Sequence, residues 1–394
     1  MLGDFDLTLP TRVHFGEHAL DALPDELARY GSRVLLAYGG GSIKASGLYD
    51  RVVATLAAAG KEVFECPGIM SNPTFDKVLE EARLIRQHDI DLVLAVGGGS
   101  VVDSSKDAAA LAWQDGTPAE LWERFFRCGE QADEDDRITP VGCILTMPAT
   151  GSEMNPGGVV TNDETREKLE MIAHEVRSLP QFALLDPTLT MTLPRYQMVS
   201  GCYDILCHCM EQYFSGEDDC VSDYLAEGVM RAIISATRAA CANPQDYEAR
   251  SNIMWCATWG LNGVIGLGKD QDWQLHDLGQ SISAFTNATH GMTLSALSMA
   301  YYRHIMPYGM HRFARFATAV WGISPEGKSQ EQLANEGLAA LEAFMREIGV
   351  ALNISELGVT EDMLEGIAEV TPAEEGAYHI LDKAEMVQIL RESL

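Results

Sequence analysis

Between residues 91 and 111 the chain reads DLVLAVGGGSVVDSSKDAAAL: an unbroken apolar run of strand length, three glycines and a serine, then a helix-like stretch. No other segment restricts the fold as much. A strand without polar alternation must be covered on both faces, which is the setting of an interior strand in a parallel sheet. The punctuation recurs where VLLAY (34–38) runs into Gly39-Gly40-Gly41-Ser42. EVFEC (62–66), VGCILTMP (141–148) and FALLD (182–186) are further strand-length runs, separated by helical patterns such as TFDKVLEEARLIRQH (74–88). The fold class is therefore α/β, with a parallel sheet flanked by helices.

Beyond about residue 190 strand signals fade and long helical patterns take over. The change falls in LLDPTLTMTLPRYQ, where two prolines and helix-capping threonines follow the last strand-like run. The reading is two domains, an α/β domain over 1–190 and an all-helical domain over 191–394.

Charge narrows the ligands. A net charge of −30 repels nucleic acid and anionic membrane surfaces, so a phosphate-bearing ligand must be gripped by local features. No segment has the apolar length of a membrane span, and MLGDFDLTLP lacks a basic start and an apolar run, so a cytoplasmic protein is expected. The nine cysteines are scattered without a disulfide-like spacing and fit buried thiols in a reducing compartment. The acidic run GEQADEDDR (129–137) reads as a solvated loop.

A strand that turns through glycines into a helix is built to meet an anion. Without Cβ atoms the backbone approaches closely, the first helical N–H groups point at the ligand, and the helix dipole favours its charge. Gly97, Gly98, Gly99 and Ser100 form one such turn, with Ser100 and Asp103 in the S-x-x-D spacing of a capping box. The second turn, at Gly39 and Gly40, lies at another strand end of the same sheet, and ligands of open α/β sheets bind outside those ends. Both turns are expected to serve one dinucleotide. The second turn carries no acidic residue for the ribose hydroxyls and offers Ser42 and Lys44 to a 2′-phosphate, which favours NADP(H) over NAD(H).

In the helical half, GCYDILCHCMEQYF (201–214) has the apolar spacing of a buried helix. Residues four apart share a helix face, so Asp204 and His208 form a candidate ligand pair, while Cys207 and Cys209 point away on either side and read as packing residues. DWQLHDLGQSISAFTNATHG (272–291) supplies two more candidates, His276 and His290. One carboxylate and three imidazoles would suit Fe(II) or Zn(II).

These segments resemble the iron-containing (group III) alcohol dehydrogenases: GCYDILCHCMEQY and HDLGQSISAFTNATHG their two metal motifs, AVGGGSVVDSSK their pyrophosphate turn, and LTMPATGSEMNPGGVVTNDETREK the loop and hairpin beside the nicotinamide. The likeness runs from RVHFG (12–16) almost to the end and is strongest to the NADPH-dependent butanol dehydrogenase and broad-range aldehyde reductase branch. It implies a dinucleotide-binding α/β domain followed by a helical metal-binding domain, a dehydroquinate synthase-like fold, with cofactor and metal meeting in a cleft. It further implies the ligands Asp204, His208, His276 and His290, and cofactor contacts from Gly39, Gly40, Ser42, Asn72, Gly97, Gly98, Gly99, Ser100, Asp103, Thr146, Thr150, Asn155 and Lys168. The expected activity is hydride transfer between NADP(H) and a primary alcohol or aldehyde, the metal polarising the substrate oxygen, in a homodimer. One position departs from the pattern: Gln280 stands where most members carry a second histidine, and glutamine can contact a substrate but cannot relay a proton. Two rivals are a dehydroquinate-synthase-like lyase, whose phosphorylated substrate needs basic residues missing near the ligands, and a non-catalytic NADPH-binding sensor, which needs no metal.

Overall fold

The structure, a computed structural model, describes residues 2–216, 219–373 and 377–394. Two compact units divide the chain between Thr192 and Leu193, and residues 2–6 belong with the second, where Gly3 N–H donates to the Gly268 carbonyl at 2.7 Å.

The first unit carries eight strands: β1 Arg12–Phe15, β2 Arg33–Tyr38, β3 Glu62–Cys66, β4 Leu92–Gly98, β5 Val141–Met147, β6 Gly158–Asn162, β7 Glu167–Met171 and β8 Phe182–Leu185. Six form a parallel sheet in the order β1-β8-β5-β4-β2-β3, and β6 and β7 make a separate antiparallel hairpin. The apolar runs read from sequence are the central strands. Leu92 to Val96 are all buried, as are Val34 to Tyr38, so both sheet faces are covered. Val34, Leu36, Leu92, Leu94, Val96, Ile144 and Leu184 pack together in one core cluster. The helix predicted over 74–88 spans Phe75–His88, capped by the Thr74 hydroxyl and ended by Asp89 in the left-handed region. β1, short and half-buried, gave no readable signal.

Strand order fixes where a ligand can enter. From β2 the chain steps outward to β3, then returns across β2 to lay down β4 and β5. β2 and β4 are paired neighbours, Tyr38 opposite Val96. The loops leaving their carboxyl ends diverge in opposite directions, which is a topological switch point.

In the second unit no described residue from 193 onward lies in a strand. Its centre is the helix Arg195–Tyr213, buried at every position from Met198 to Tyr213. Cys202, Cys207 and Cys209 take part in its core as packing groups, their thiols pushed up by burial. All nine cysteines are unpaired, and no helix among the described residues is long and apolar enough to cross a membrane.

Candidate functional site

Three helices of the second unit build the candidate metal centre. Arg195–Tyr213 carries Asp204 and His208 one turn apart, Gln274–Thr286 carries His276 in its first turn, and His290 opens His290–Ile305. Glycines let them close. A Cβ on Gly291 would stand 2.1 Å from the Ser200 carbonyl oxygen, and one on Gly279 would stand 2.7 Å from Leu294 Cδ2. At Gly291 the obstacle is backbone and only glycine fits, whereas at Gly279 it is the end of a leucine side chain that must shift to admit a Cβ.

Each of the three expected histidine ligands approaches Asp204. Asp204 Oδ1 lies 3.7 Å from His208 Nε2, 3.6 Å from His276 Nε2 and 3.5 Å from His290 Nε2. Donors bound at 2.0–2.2 Å to one tetrahedral ion stand about 3.4 Å apart, so these spacings are close to the edges of such a polyhedron. Asp204, His276 and His290 form the tightest group, with ligand atoms all within 4.8 Å of one another, and the His208 ring stacks on His276 at 4.7 Å. Asp204 Oδ1 and His276 Nε2 are buried and accept or donate no hydrogen bond. Buried polar atoms are rarely left so, and a divalent cation at this point would satisfy both. The donor set fits the metal that the motifs imply.

Electrostatics favours a cation at the same point. Burial pushes Asp204 up, but His208, His290 and His276 together hold it well below the usual carboxylate range. Burial drives His208 down to about 4 against the pull of Asp204, leaving its imidazole neutral as a ligand must be. Burial also opposes charge on His276, yet Glu211 and Asp204 overcome it and raise the group to about 10, so the two carboxylates favour positive charge at this ring and a metal bound there would displace its proton.

Glu211 is the residue that the sequence reading passed over. Its Oε1 accepts from His276 Nδ1 at 2.6 Å and its Oε2 from the His276 backbone N–H at 3.2 Å, fixing ring, tautomer and backbone together. Its position seven residues after Asp204, two turns along one helix face, was the available signal. Trp273 closes the other side, edge-on to His276 at 5.4 Å and to His208 at 6.3 Å. Gln280 lies one turn beyond His276 on the same helix, half-buried.

The first unit holds the glycine turns. Gly98 is the N-cap of the helix Gly99–Leu111 and no side chain caps it. The expected Ser100–Asp103 capping box is therefore corrected: Ser100 is already inside the helix, and Asp103 is drawn away to accept from the Ser152 hydroxyl. The first N–H groups are left for a ligand. Close packing explains the glycines: a Cβ on Gly97 would meet Val101 at 2.4 Å and one on Gly99 would meet Thr150 Oγ1 at 2.2 Å, whereas Gly40 has nothing within 4 Å. Gly39 is half-buried beside Ile69, and Ser42 starts a short helix. Lys44 stands with its ammonium 5.0 Å from the Tyr38 ring and 4.7 Å from the Tyr49 ring.

Other expected cofactor residues brace one another. Lys106, fully buried, donates to Asn155 Oδ1 and to the carbonyls of Ser152, Asn155 and Gly157, pinning the loop after β5 to the Gly99–Leu111 helix. Asn155 Nδ2 in turn donates to the Thr150 carbonyl at 3.1 Å, and Thr146 lies at the end of β5. Lys168, on β7, donates to Asn72 Oδ1 at 2.8 Å, and Asn72 has a left-handed φ of 53°. Neither Lys106 nor the capping-free turn was legible in advance.

Comparison with known proteins agrees with the motifs. Residues 10–187 match the model of iron-containing alcohol dehydrogenase, and residues 198–394 that of the Fe-containing alcohol dehydrogenase family, C-terminal. The chain is 37% identical to NADH-dependent butanol dehydrogenase A of Clostridium acetobutylicum, over 93% of this chain and 92% of that protein. It is 35% identical to the NADPH-dependent aldehyde reductase YqhD of Escherichia coli, over 91% of this chain and 90% of that one. The crystal structure of NADH-dependent butanol dehydrogenase A from Thermotoga maritima superposes with a TM-score of 0.92 at 32% identity, covering 100% of this chain and 99% of the other. With both halves matched, whole-length relatives above 30% identity and the motif histidines gathered around one aspartate, the chain belongs to the iron-containing alcohol dehydrogenase family, oxidoreductases of alcohols and aldehydes.

Proposed function

We propose that the protein is a metal-dependent aldehyde reductase and alcohol dehydrogenase that moves hydride between NADP(H) and a small primary alcohol or aldehyde. The observation that carries this reading is the set of donors around Asp204 Oδ1, two of whose buried atoms lack any hydrogen bond. Asp204, His208, His276 and His290 would hold a divalent ion, Fe(II) or Zn(II), by one oxygen and three nitrogens. Such an ion supplies Lewis-acid polarisation of the substrate oxygen.

The remaining roles fall to the chain itself. Glu211 keeps Nδ1 of His276 protonated, so that Nε2 is the nitrogen offered to the ion. The uncapped first turn of Gly99–Leu111 receives the cofactor pyrophosphate, and Lys106 and Asn155 hold the facing loop in place. Gln280 can orient a substrate by hydrogen bonding, and the proton of the product alcohol comes from water or a cofactor hydroxyl.

NADP(H) is favoured over NAD(H) because the turn after β2 presents glycines, Ser42 and Lys44. The carboxylate of Glu65 on β3 accepts from the hydroxyls of Tyr38, at 2.6 Å, and Tyr49, at 2.9 Å, so both its oxygens are engaged. The turn itself, Gly39 to Lys44, contains no carboxylate of the kind that takes the ribose hydroxyls in NAD sites.

The test follows butanal-dependent oxidation of NADPH and of NADH, with and without added Fe(II) or Zn(II). NADPH should give the higher kcat/KM, and a higher value with NADH refutes the cofactor assignment. His276→Ala should abolish turnover and metal retention while NADPH binding persists; undiminished turnover refutes the metal centre. NADPH binding without reduction of any aldehyde, metal present, would support the sensor instead.

A further inference from the structure

His304, His379 and Glu385 meet far from the centre described above. His304 follows His290 by fourteen residues on one helix, about 21 Å along its axis. Glu385 Oε1 lies 2.7 Å from His379 Nε2 and 3.3 Å from His304 Nε2, and one ligand atom from each residue lies within 4.8 Å of the others. We propose that these three side chains form a second divalent-cation site, of the zinc type, which ties the last helix to the helix that opens at His290.

Three features argue for a built site over a chance ion pair. The donors come from separate pieces of chain: the last turn of His290–Ile305, the loop at His379 and the first turn of Lys383–Glu392. Each is held. The Tyr308 ring lies parallel to that of His379, 4.3 Å away and within 3°, and Glu385 Oε2 accepts from the Asp382 backbone N–H at 2.9 Å, so Oε1 is the oxygen turned to the imidazoles. The spacing also suits an ion, since 3.3 Å already matches the edge of about 3.4 Å in a tetrahedral site and the 2.7 Å pair needs to open by less than an ångström. Two imidazoles and one carboxylate are borderline ligands of zinc character, and the side chains are 18%, 27% and 25% exposed, which leaves the fourth position to water.

The consequence reaches the first centre. Gln274 Nε2 donates to the His379 carbonyl at 2.9 Å, and Gln274 Oε1 accepts from Leu381 N–H at 2.8 Å. Gln274 precedes His276 by two residues, so an ion at His379 steadies the start of the helix that presents a ligand to the first ion.

The experiment strips the full chain with a chelator, reloads it with Zn(II) and counts bound metal by mass spectrometry. Wild type should hold two ions per chain, His379→Ala and His304→Gln one each, His276→Ala one, and the His276→Ala/His379→Ala pair none. Co(II) loaded into His276→Ala should give a visible ligand-field band that is lost when His379 is also replaced. His304→Gln, on a helix surface, carries the test if the loop variant does not fold. A wild-type count of one with His276→Ala at none overturns the second site and leaves the first standing. A count of one in both wild type and His276→Ala, with none in His379→Ala, overturns the first and leaves the second.

Discussion

Gly291→Ala is the smallest change that should separate the metal ligands without touching one. The added Cβ would stand 2.1 Å from the Ser200 carbonyl oxygen, and reaching even 3.0 Å requires the two backbones to part by about 0.9 Å. The obstacle is backbone, so no rotamer relieves it. His290 is the adjacent residue, whereas Asp204 and His208 ride on the helix that carries Ser200. A metal bond tolerates about 0.2 Å, so the displacement should release His290 and weaken binding by about 100-fold or more. Overpacking should also lower stability by about 1–3 kcal/mol. Competition titration against a chromophoric chelator reads the first effect, and urea denaturation of the metal-free protein the second. Gly228→Ala is the control: it lies mid-helix with nothing within 4 Å of its Cβ, and should gain about 1 kcal/mol with metal affinity unchanged. Wild-type metal affinity in Gly291→Ala would refute the claim that close helix approach positions His290.

Three further changes probe other parts of the argument. Glu211→Gln leaves one acceptor oxygen where two serve His276, and should cost about 10- to 100-fold in metal affinity by the same titration, with NADPH binding unmoved. Lys106→Met strands the buried Asp103 and several carbonyls, so urea unfolding should show a loss of about 3–5 kcal/mol; a loss under 1 kcal/mol would mean that the loop after β5 is held by other contacts. Glu81, fully buried between Ser104 and Ser105, is pushed up to about 7 by burial from the usual 4.5. The folded state thus binds its proton more tightly than the unfolded chain, and stability falls as pH rises through the window from about 4.5 to about 7. Glu81→Gln should remove this fall and leave the variant the more stable above pH 7, by up to about 3 kcal/mol, as measured by urea unfolding across that range.

What the sequence alone determined was local and periodic. Unbroken apolar runs at 34–38 and 92–96 argue for strands covered on both faces, and the segment 74–88 marked a helix because its apolar residues recur at the helical period. Four-residue spacing paired Asp204 with His208 for the same kind of reason, since helix geometry links neighbours along the chain.

Tertiary structure decided whatever depends on contacts between distant segments. His276 and His290 became neighbours of Asp204 through glycines that let three helices touch, and Glu211 acquired its role only when His276, sixty-five residues away, came within 2.6 Å. Asp103 shows the limit of local reading: its spacing from Ser100 fits a capping box, yet Ser152, forty-nine residues on, offered a buried hydroxyl and took it from the helix start. His304, His379 and Glu385 carried no spacing to link them before the fold brought them together. Periodicity is written along the chain, but the partner of a buried polar group is chosen by packing in space.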